Sequence, residues 1–455
     1  MTRKRSTARL ARWLPVFTGL ALSAGCAASE GATLSAPVTV TDSAEGNPTV
    51  AQAGQAPGAY VTWVAETNGV SNVYLARTGP DGAPVGTPVR VNATPGDAST
   101  HDQAPPQVAV GPRGAVYVVW QKSTPVAGRT YDASNLRFAA SADAGRTFGP
   151  TLTVNDDAGG PPSSHTFHDV VVGPDGTVYV AWLDGRVRDR ARAAAEAAGN
   201  ARPAAAQPAE ARASRTGATH PVGGSGGMPG MGESDAGIPG SEIRLATWRP
   251  GARSFTPSVV VDRDVCPCCR AALAMGPDGT LFISWRKIYP GNVRDVVVAR
   301  SSDGGRSVSA PVEVHHDGWV FAGCPHAGPS VAVDGKGRVY AAWYTGKPGA
   351  EGLYFAESDD GGKHFGSPTA LEAGGWVPPA QVKLAASDDH VWIAWDDRRQ
   401  AQKVVHFGRI EGTQLTEVGD PAPGHSPAVS AEGTQGTVAW LDGEAVRLRK
   451  LGGAR

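Results

Sequence analysis

Five soft donor side chains crowd two short stretches of this chain. Residues 262–270 read DRDVCPCCR and hold Cys266, Cys268 and Cys269; residues 316–328 read HDGWVFAGCPHAG and hold Cys324 and His326. Thiolate sulfur and imidazole nitrogen suit copper or zinc, so CPCC with CPH supplies four or five ligands for a metal site. The same cysteines also fit a disulfide reading, with bridges such as Cys266–Cys269 or Cys268–Cys324 in an oxidising compartment. A bond between the neighbours Cys268 and Cys269 would be strained. A nucleophilic cysteine is the third alternative. The spacing matches no familiar zinc ribbon, and no CxxCH haem site occurs. Further imidazoles stand in two other stretches: His101 beside Asp102, and His165 and His168 in SSHTFHDV.

A second set of groups offers other chemistry. Asp184 and Arg186 (WLDGR), Arg286 and Lys287, the run Asp396–Arg399 (WDDRR) and Asp442 all follow a conspicuous tryptophan. Paired carboxylates of this kind serve glycosidase acid/base work, while solvated rim charges and structural ion pairs are the plainer alternative. Trp319 and Trp376 fit sugar stacking, and Met228, Met231 and His220 are compatible with soft-metal capture or with a flexible linker.

These groups are carried by a repeat. PSVAVDGKGRVYAAWYTG (residues 329–346) reads as strand, Gly-bearing turn and second strand, with the alternation of β structure. Related cassettes end at Trp63, Trp120, Trp182, Trp285, Trp343, Trp395 and Trp440, and two more strands follow each except the last. Four antiparallel strands per unit, repeated seven times, predict an all-β, seven-bladed β-propeller over residues 36–452. The last unit lacks a fourth strand, so Ala36–Asp42 is expected to pair with Glu444–Gly452 and close the ring. Residues 187–240 break the spacing; they start helix-prone and become Pro/Ala- and then Gly/Met-rich, as a mobile low-complexity insertion in blade 3 would. In a propeller, the loops that lead into the first strand and leave the second open on one face around the axis. That geometry puts all the cysteines discussed above on one face of neighbouring blades.

Bulk properties narrow the partners. With 455 residues and a formal net charge of −1, there is no electrostatic case for nucleic acid or for an anionic membrane surface. The 59 glycines and 36 prolines fit many short strands and turns. The N-terminus has Arg3, Lys4, Arg5, Arg9 and Arg12, then an apolar run from Trp13 to Ala24. It ends in LSAGC, which resembles the lipobox of bacterial lipoproteins, with residues 1–25 as signal peptide and 26–35 as linker. The resemblance implies lipidation at Cys26, export, and a lipid anchor holding the chain to the cell envelope. Ala27, rather than aspartate, favours outer-membrane sorting in a Gram-negative cell.

SADAGRTF (residues 141–148), SSDGGRSV (301–308) and SDDGGKHF (358–365) resemble the Asp-box, or BNR repeat, of sialidase-like propellers. Asp143, Asp303 and Asp360 can cap turn amides, and Gly145, Gly305 and Gly362 accept positive φ. The resemblance implies the propeller fold, with these boxes opposite the active face. At the positions matching the family's substrate-clamping arginine stand Gly46, Ala104, Thr166, Cys269, Ala327, Pro378 and His425, with Arg270 one place out of register. Tyr344 would mimic the family's tyrosine nucleophile; Arg270, Asp184 and Asp396 complete the catalytic candidates. The expected function is ligand or metal binding, or an envelope interaction platform with a glycan or protein partner. The alternative is a glycan-active enzyme of exo-sialidase type.

Overall fold

The computed structural model describes residues 33–452 except 53–57, 102, 128, 130–131 and 199–239. The expected leader, Cys26 and most of the linker lie outside these residues, as do Asp102, His220, Met228 and Met231.

Seven antiparallel sheets form the blades of a propeller. In blades 1 to 6 the strands follow one another in sequence order from the axis outward. The innermost strands are Thr49–Gln52, Gln107–Val110, His165–Val172, Ala272–Met275, Ser330–Val333, Val382–Ser387 and His425–Glu432. Each packs on the next, and the last packs on the first. The second strands are the most buried elements, because both faces of each blade are covered by neighbours. Val178–Asp184 and Val339–Thr345, for instance, are buried at every residue. The tryptophans that end the seven cassettes are all buried.

Blade 7 takes strands from both ends of the described chain. Val38–Thr41 pairs antiparallel with Ala445–Gly452, matching Val38 to Leu448 and Thr39 to Arg447. Thr33–Leu34 adds to the far end of that same strand. At the axis lies a cavity of about 450 Å³, lined by Val50, Leu273, Val331 and Leu384 together with Ser387, Ser430 and Glu432.

The three Ser-x-Asp-x-Gly turns share one hydrogen-bond pattern. Asp143 Oδ1 accepts from the amides of Arg146 (3.0 Å) and Thr147 (2.9 Å), and Gly145 N donates to Ser141 Oγ (2.9 Å). Gly145 has φ 74°, a conformation that costs a glycine nothing. Asp303 and Asp360 repeat the scheme, and the donated bonds hold all three carboxyls well below the usual range.

The segment from residue 187, helix-prone in sequence, begins as an α-helix, Arg186–Ala197, fastened to the propeller. Buried Asp189 accepts from Ser164 N (2.9 Å) and ion-pairs with Arg129 (3.0 Å). Replacing Asp189 with alanine leaves the half-buried Ser164 amide without this acceptor, so urea unfolding should show a loss of about 1 kcal/mol. Unchanged stability would mean the helix is not anchored through this carboxylate.

Candidate metal centre

Cys266, Cys268 and Cys269 form a tight turn between the outermost strand of blade 3 (Val259–Val265) and the innermost strand of blade 4. Cys266 N donates to Arg286 O (2.9 Å), which pins the start of the turn to the end of blade 4's second strand (Leu281–Arg286). Pro267 stiffens it, and Cys269 N reaches back to Cys266 O (3.5 Å). The result directs the sulfurs at one another: Cys266 Sγ lies 3.7 Å from Cys268 Sγ and 3.2 Å from Cys269 Sγ. All three residues are buried, Cys266 to 1% exposure, and none of the chain's four described cysteines is in a disulfide.

The stretch leading into blade 5 supplies the rest. Cys268, Cys324 and His326 have ligand atoms within 4.8 Å of one another, as do Cys266, Cys268 and Cys269, so Cys268 belongs to both groups. His326 has φ 52°, a left-handed conformation that is uncommon for a residue with a side chain. It is held there in part by Gln381, whose Nε2 donates to His326 O (2.7 Å). Strain of this kind is kept where the surroundings over-determine the backbone.

Two buried arginines set the electrostatics. Arg294 Nη1 donates to Cys266 Sγ (3.1 Å). Arg286 donates to Arg294 O (3.1 Å), Ala327 O (3.2 Å) and Tyr344 O (2.6 Å), and so ties blade 4 to blade 5. Burial by itself pushes the Cys266 thiol up. Hydrogen bonding with Cys268 and Cys269, then the charges of Arg294 and Arg286, outweigh that and hold it well below its ordinary value. Burial and the adjoining Cys266 sulfur push Cys268 and Cys269 up. Cys266 is therefore the sulfur readiest to ionise, and a bound cation would draw the protons from the two beside it.

The other expected ligands stand apart: neither His165 nor His168 joins either group. The innermost strand of blade 3 has a bulge between Thr166 and Asp169, with Phe167 at φ 53°, which redirects both rings. His165 Nδ1 faces Ser134 O (2.6 Å), and its Nε2 meets Asp157 Oδ1 (2.8 Å) and Asp184 Oδ2 (3.5 Å). His168 Nε2 faces Val119 O (3.1 Å), and burial pushes its pKa down to about 3.

The catalytic candidates are also placed by structural bonds. Tyr344 is buried, its hydroxyl donates to Val377 O (2.9 Å), and burial pushes its pKa up to about 12, which is the setting of a structural hydroxyl rather than a nucleophile. Asp184 is buried under Arg186, which binds it through Nε and Nη2 (2.9 and 2.8 Å), and it also accepts from Trp182 Nε1 (2.9 Å). Asp396 accepts from Gln381 N, Ser426 N and Arg398, and so fastens blade 6 to blade 7. Arg270 does reach the axis, beside Gln381 and Lys383. Trp319, expected as a sugar platform, is buried beneath Phe321, with Arg286 over its ring; Trp376 is 59% exposed.

Arg294, Gln381 and Lys383 were not singled out from sequence. Lys383 is hidden by a shorter turn: counting back from the tryptophan puts Val382 at the place of Gln107, Asp169 and Ser330, and only the strand register, Lys383 opposite Ala394, makes Lys383 their equivalent. Arg294 left no signal; it sits in an irregular loop.

The His165–Asp157 pair makes a pH prediction. Burial disfavours charge on both, but their mutual hydrogen bond wins, raising His165 and holding Asp157 well below the usual carboxylate range. The histidine's contribution is fully present below its unfolded pKa of about 6.5 and is lost as pH rises through the raised folded value. The aspartate's contribution is present above about 3.8 and is lost as pH falls through the depressed one. Stability from this pair thus peaks between about pH 4 and 6.5. In His165→Gln the decline of Tm above pH 6.5 should flatten; an unchanged slope would show that the ring titrates without linkage to folding.

No protein-family profile and no curated protein matches this chain in sequence. Solved structures match it in shape. An ulvan lyase from a new family of polysaccharide lyases superposes with TM-score 0.53 at 11% identity, covering 91% of this chain and 95% of that one. The Hadza microbial sialidase Hz136 matches with TM-score 0.45 at 11% identity, covering 84% of this chain and 73% of that one. The intramolecular trans-sialidase from Ruminococcus gnavus matches with TM-score 0.45 at 10% identity, covering 78% and 95%. At such identities the likeness is one of fold.

Proposed function

We propose that this chain is an exported, lipid-anchored envelope protein whose propeller presents a soft-metal centre, for copper(I) or zinc, built from Cys266, Cys268, Cys269, Cys324 and His326. The observation that carries this reading is the pair of donor groups sharing Cys268, each with its ligand atoms within 4.8 Å. Tetrahedral thiolates on zinc at about 2.3 Å stand roughly 3.8 Å apart. Cys266 and Cys268 are already 3.7 Å apart, while Cys266 and Cys269, at 3.2 Å, would have to open to admit an ion. Arg294 and Arg286 offset the negative charge that a thiolate-rich centre brings into the interior.

The test is metal analysis with a free-thiol count on protein purified from the envelope without reductant. Bound copper or zinc, with thiols that react only after a strong chelator, is the expected outcome. Metal-free protein whose cysteines are paired as Cys266–Cys269 and Cys268–Cys324 would overturn the reading. Lipidation is tested separately, by the mass and membrane partition of Cys26→Ala.

A second reading, action on a glycan, draws on exposed Trp376 and the nearby Glu372–Asp397 pair. Burial, then Asp397, pushes Glu372 up to about 7, while hydrogen bonds from Arg399 outweigh burial and hold Asp397 low. Such a split separates an acid from a base. On this reading, Trp376→Ala and Glu372→Gln each abolish breakdown of a charged polysaccharide; a screen without any turnover removes it.

A further inference from the structure

At the axis, on the side of the cysteines, lies a small pocket lined by Asn47, Thr49, Pro105, Arg270, Gln381 and Lys383. It is independent of the sulfur donors and has an electrostatic deficit of its own. Arg270 is 7% exposed; among the described residues its guanidinium makes one long hydrogen bond, Nη2 to Gln381 Oε1 (3.4 Å), and its buried Nε meets no acceptor. Among the described residues no carboxylate oxygen comes within 4.0 Å of Arg270 or Lys383; Asp169 is the carboxylate whose field reaches both. Its oxygens are already used, Oδ2 by Leu273 N (2.8 Å) and Oδ1 by Val170 N (2.9 Å). Nearby His168 is held neutral.

Burial pushes Lys383 down to about 7 against the pull of Asp169, so the permanent charge here is that of Arg270, which among the described residues no carboxylate oxygen meets within 4.0 Å. A guanidinium cannot shed its proton, so a buried one with its donors unspent is costly unless an anion meets it. The pocket has room for a single small particle. That is too little for a carboxylate attached to a sugar.

We infer that the propeller axis binds one monatomic anion, chloride in the cell, between Arg270 and Lys383. The ion supplies the missing charge and accepts the unspent N–H groups. It also steadies Gln381, which holds the backbone of His326 from its other end.

The test is thermal unfolding of the protein in sodium chloride against sodium gluconate at equal ionic strength, with crystals soaked in bromide. The expected results are a saturable rise in Tm of roughly 2 °C in chloride and an anomalous bromide peak beside Arg270 and Lys383. Arg270→Met and Lys383→Met should each lose the chloride response. Superimposable curves with no bromide peak overturn the inference, leaving a water at the site. An equal response to acetate overturns the size argument. If both variants fail to fold, the wild-type bromide map decides alone.

Discussion

Replacing Cys268 with serine is expected to lower the affinity for copper(I) or zinc roughly 10²- to 10³-fold, more than the same change at Cys324. Structural zinc sites with four ligands bind with apparent free energies of about 10–16 kcal/mol. One thiolate thus contributes about 3–4 kcal/mol, and each 1.4 kcal/mol is a factor of ten. Cys268 is singled out because it alone belongs to both donor groups, so its loss removes a ligand from each. Cys324 serves one group and is less buried. Competition titrations against a chelator of known affinity, run anaerobically, measure both variants. Equal effects at the two positions would contradict the shared-ligand geometry, and no effect at either would remove the centre itself. Fold is monitored by near-UV circular dichroism, which both variants should retain, because serine is nearly the shape of cysteine and fits the turn.

Replacing Asp396 with alanine is expected to destabilise the protein by about 3–5 kcal/mol, the cost of leaving buried partners of a charged group unpaired. Asp396 is 0% exposed. Its Oδ1 accepts from Gln381 N (2.7 Å) and its Oδ2 from Ser426 N (2.9 Å) and Arg398 Nη2 (2.7 Å). Alanine would strand two buried amides at the junction of blades 6 and 7 and one guanidinium beside them. Asp396→Asn keeps the shape but presents an amide where one of those donors points, and should cost about 1–3 kcal/mol. Urea unfolding supplies the numbers. Should the alanine variant be as stable as the parent yet lose an activity, Asp396 would be returned to the catalytic candidates.

The blade count and the clustering of the cysteines were determined by the sequence itself, and for a physical reason. A cassette such as QVAVGPRGAVYVVW is local: its alternation, turn glycine and terminal tryptophan specify a hairpin without reference to the rest of the chain. Seven such hairpins leave few ways to bury their faces other than a ring. Once the ring is granted, residues at equivalent cassette positions share a face, so 262–270 and 316–328 had to meet there. The turn formed by Asp143 and Gly145 was legible for the same reason, since every partner lies within a few residues.

What only the tertiary structure decided is the direction of single side chains. His165 and His168 are as near the active face in sequence terms as His326, yet they serve Asp157 and Val119 O. The difference lies in the backbone at Phe167 (φ 53°) and His326 (φ 52°), left-handed at residues where no glycine announces it. One such residue re-aims the side chains that follow, and its stability comes from distant partners, such as Gln381 on the carbonyl of His326. The charges follow the same rule. Arg294 on Cys266 and Arg270 at the axis draw their character from burial and from neighbours in other blades, and neither property is written in a local pattern.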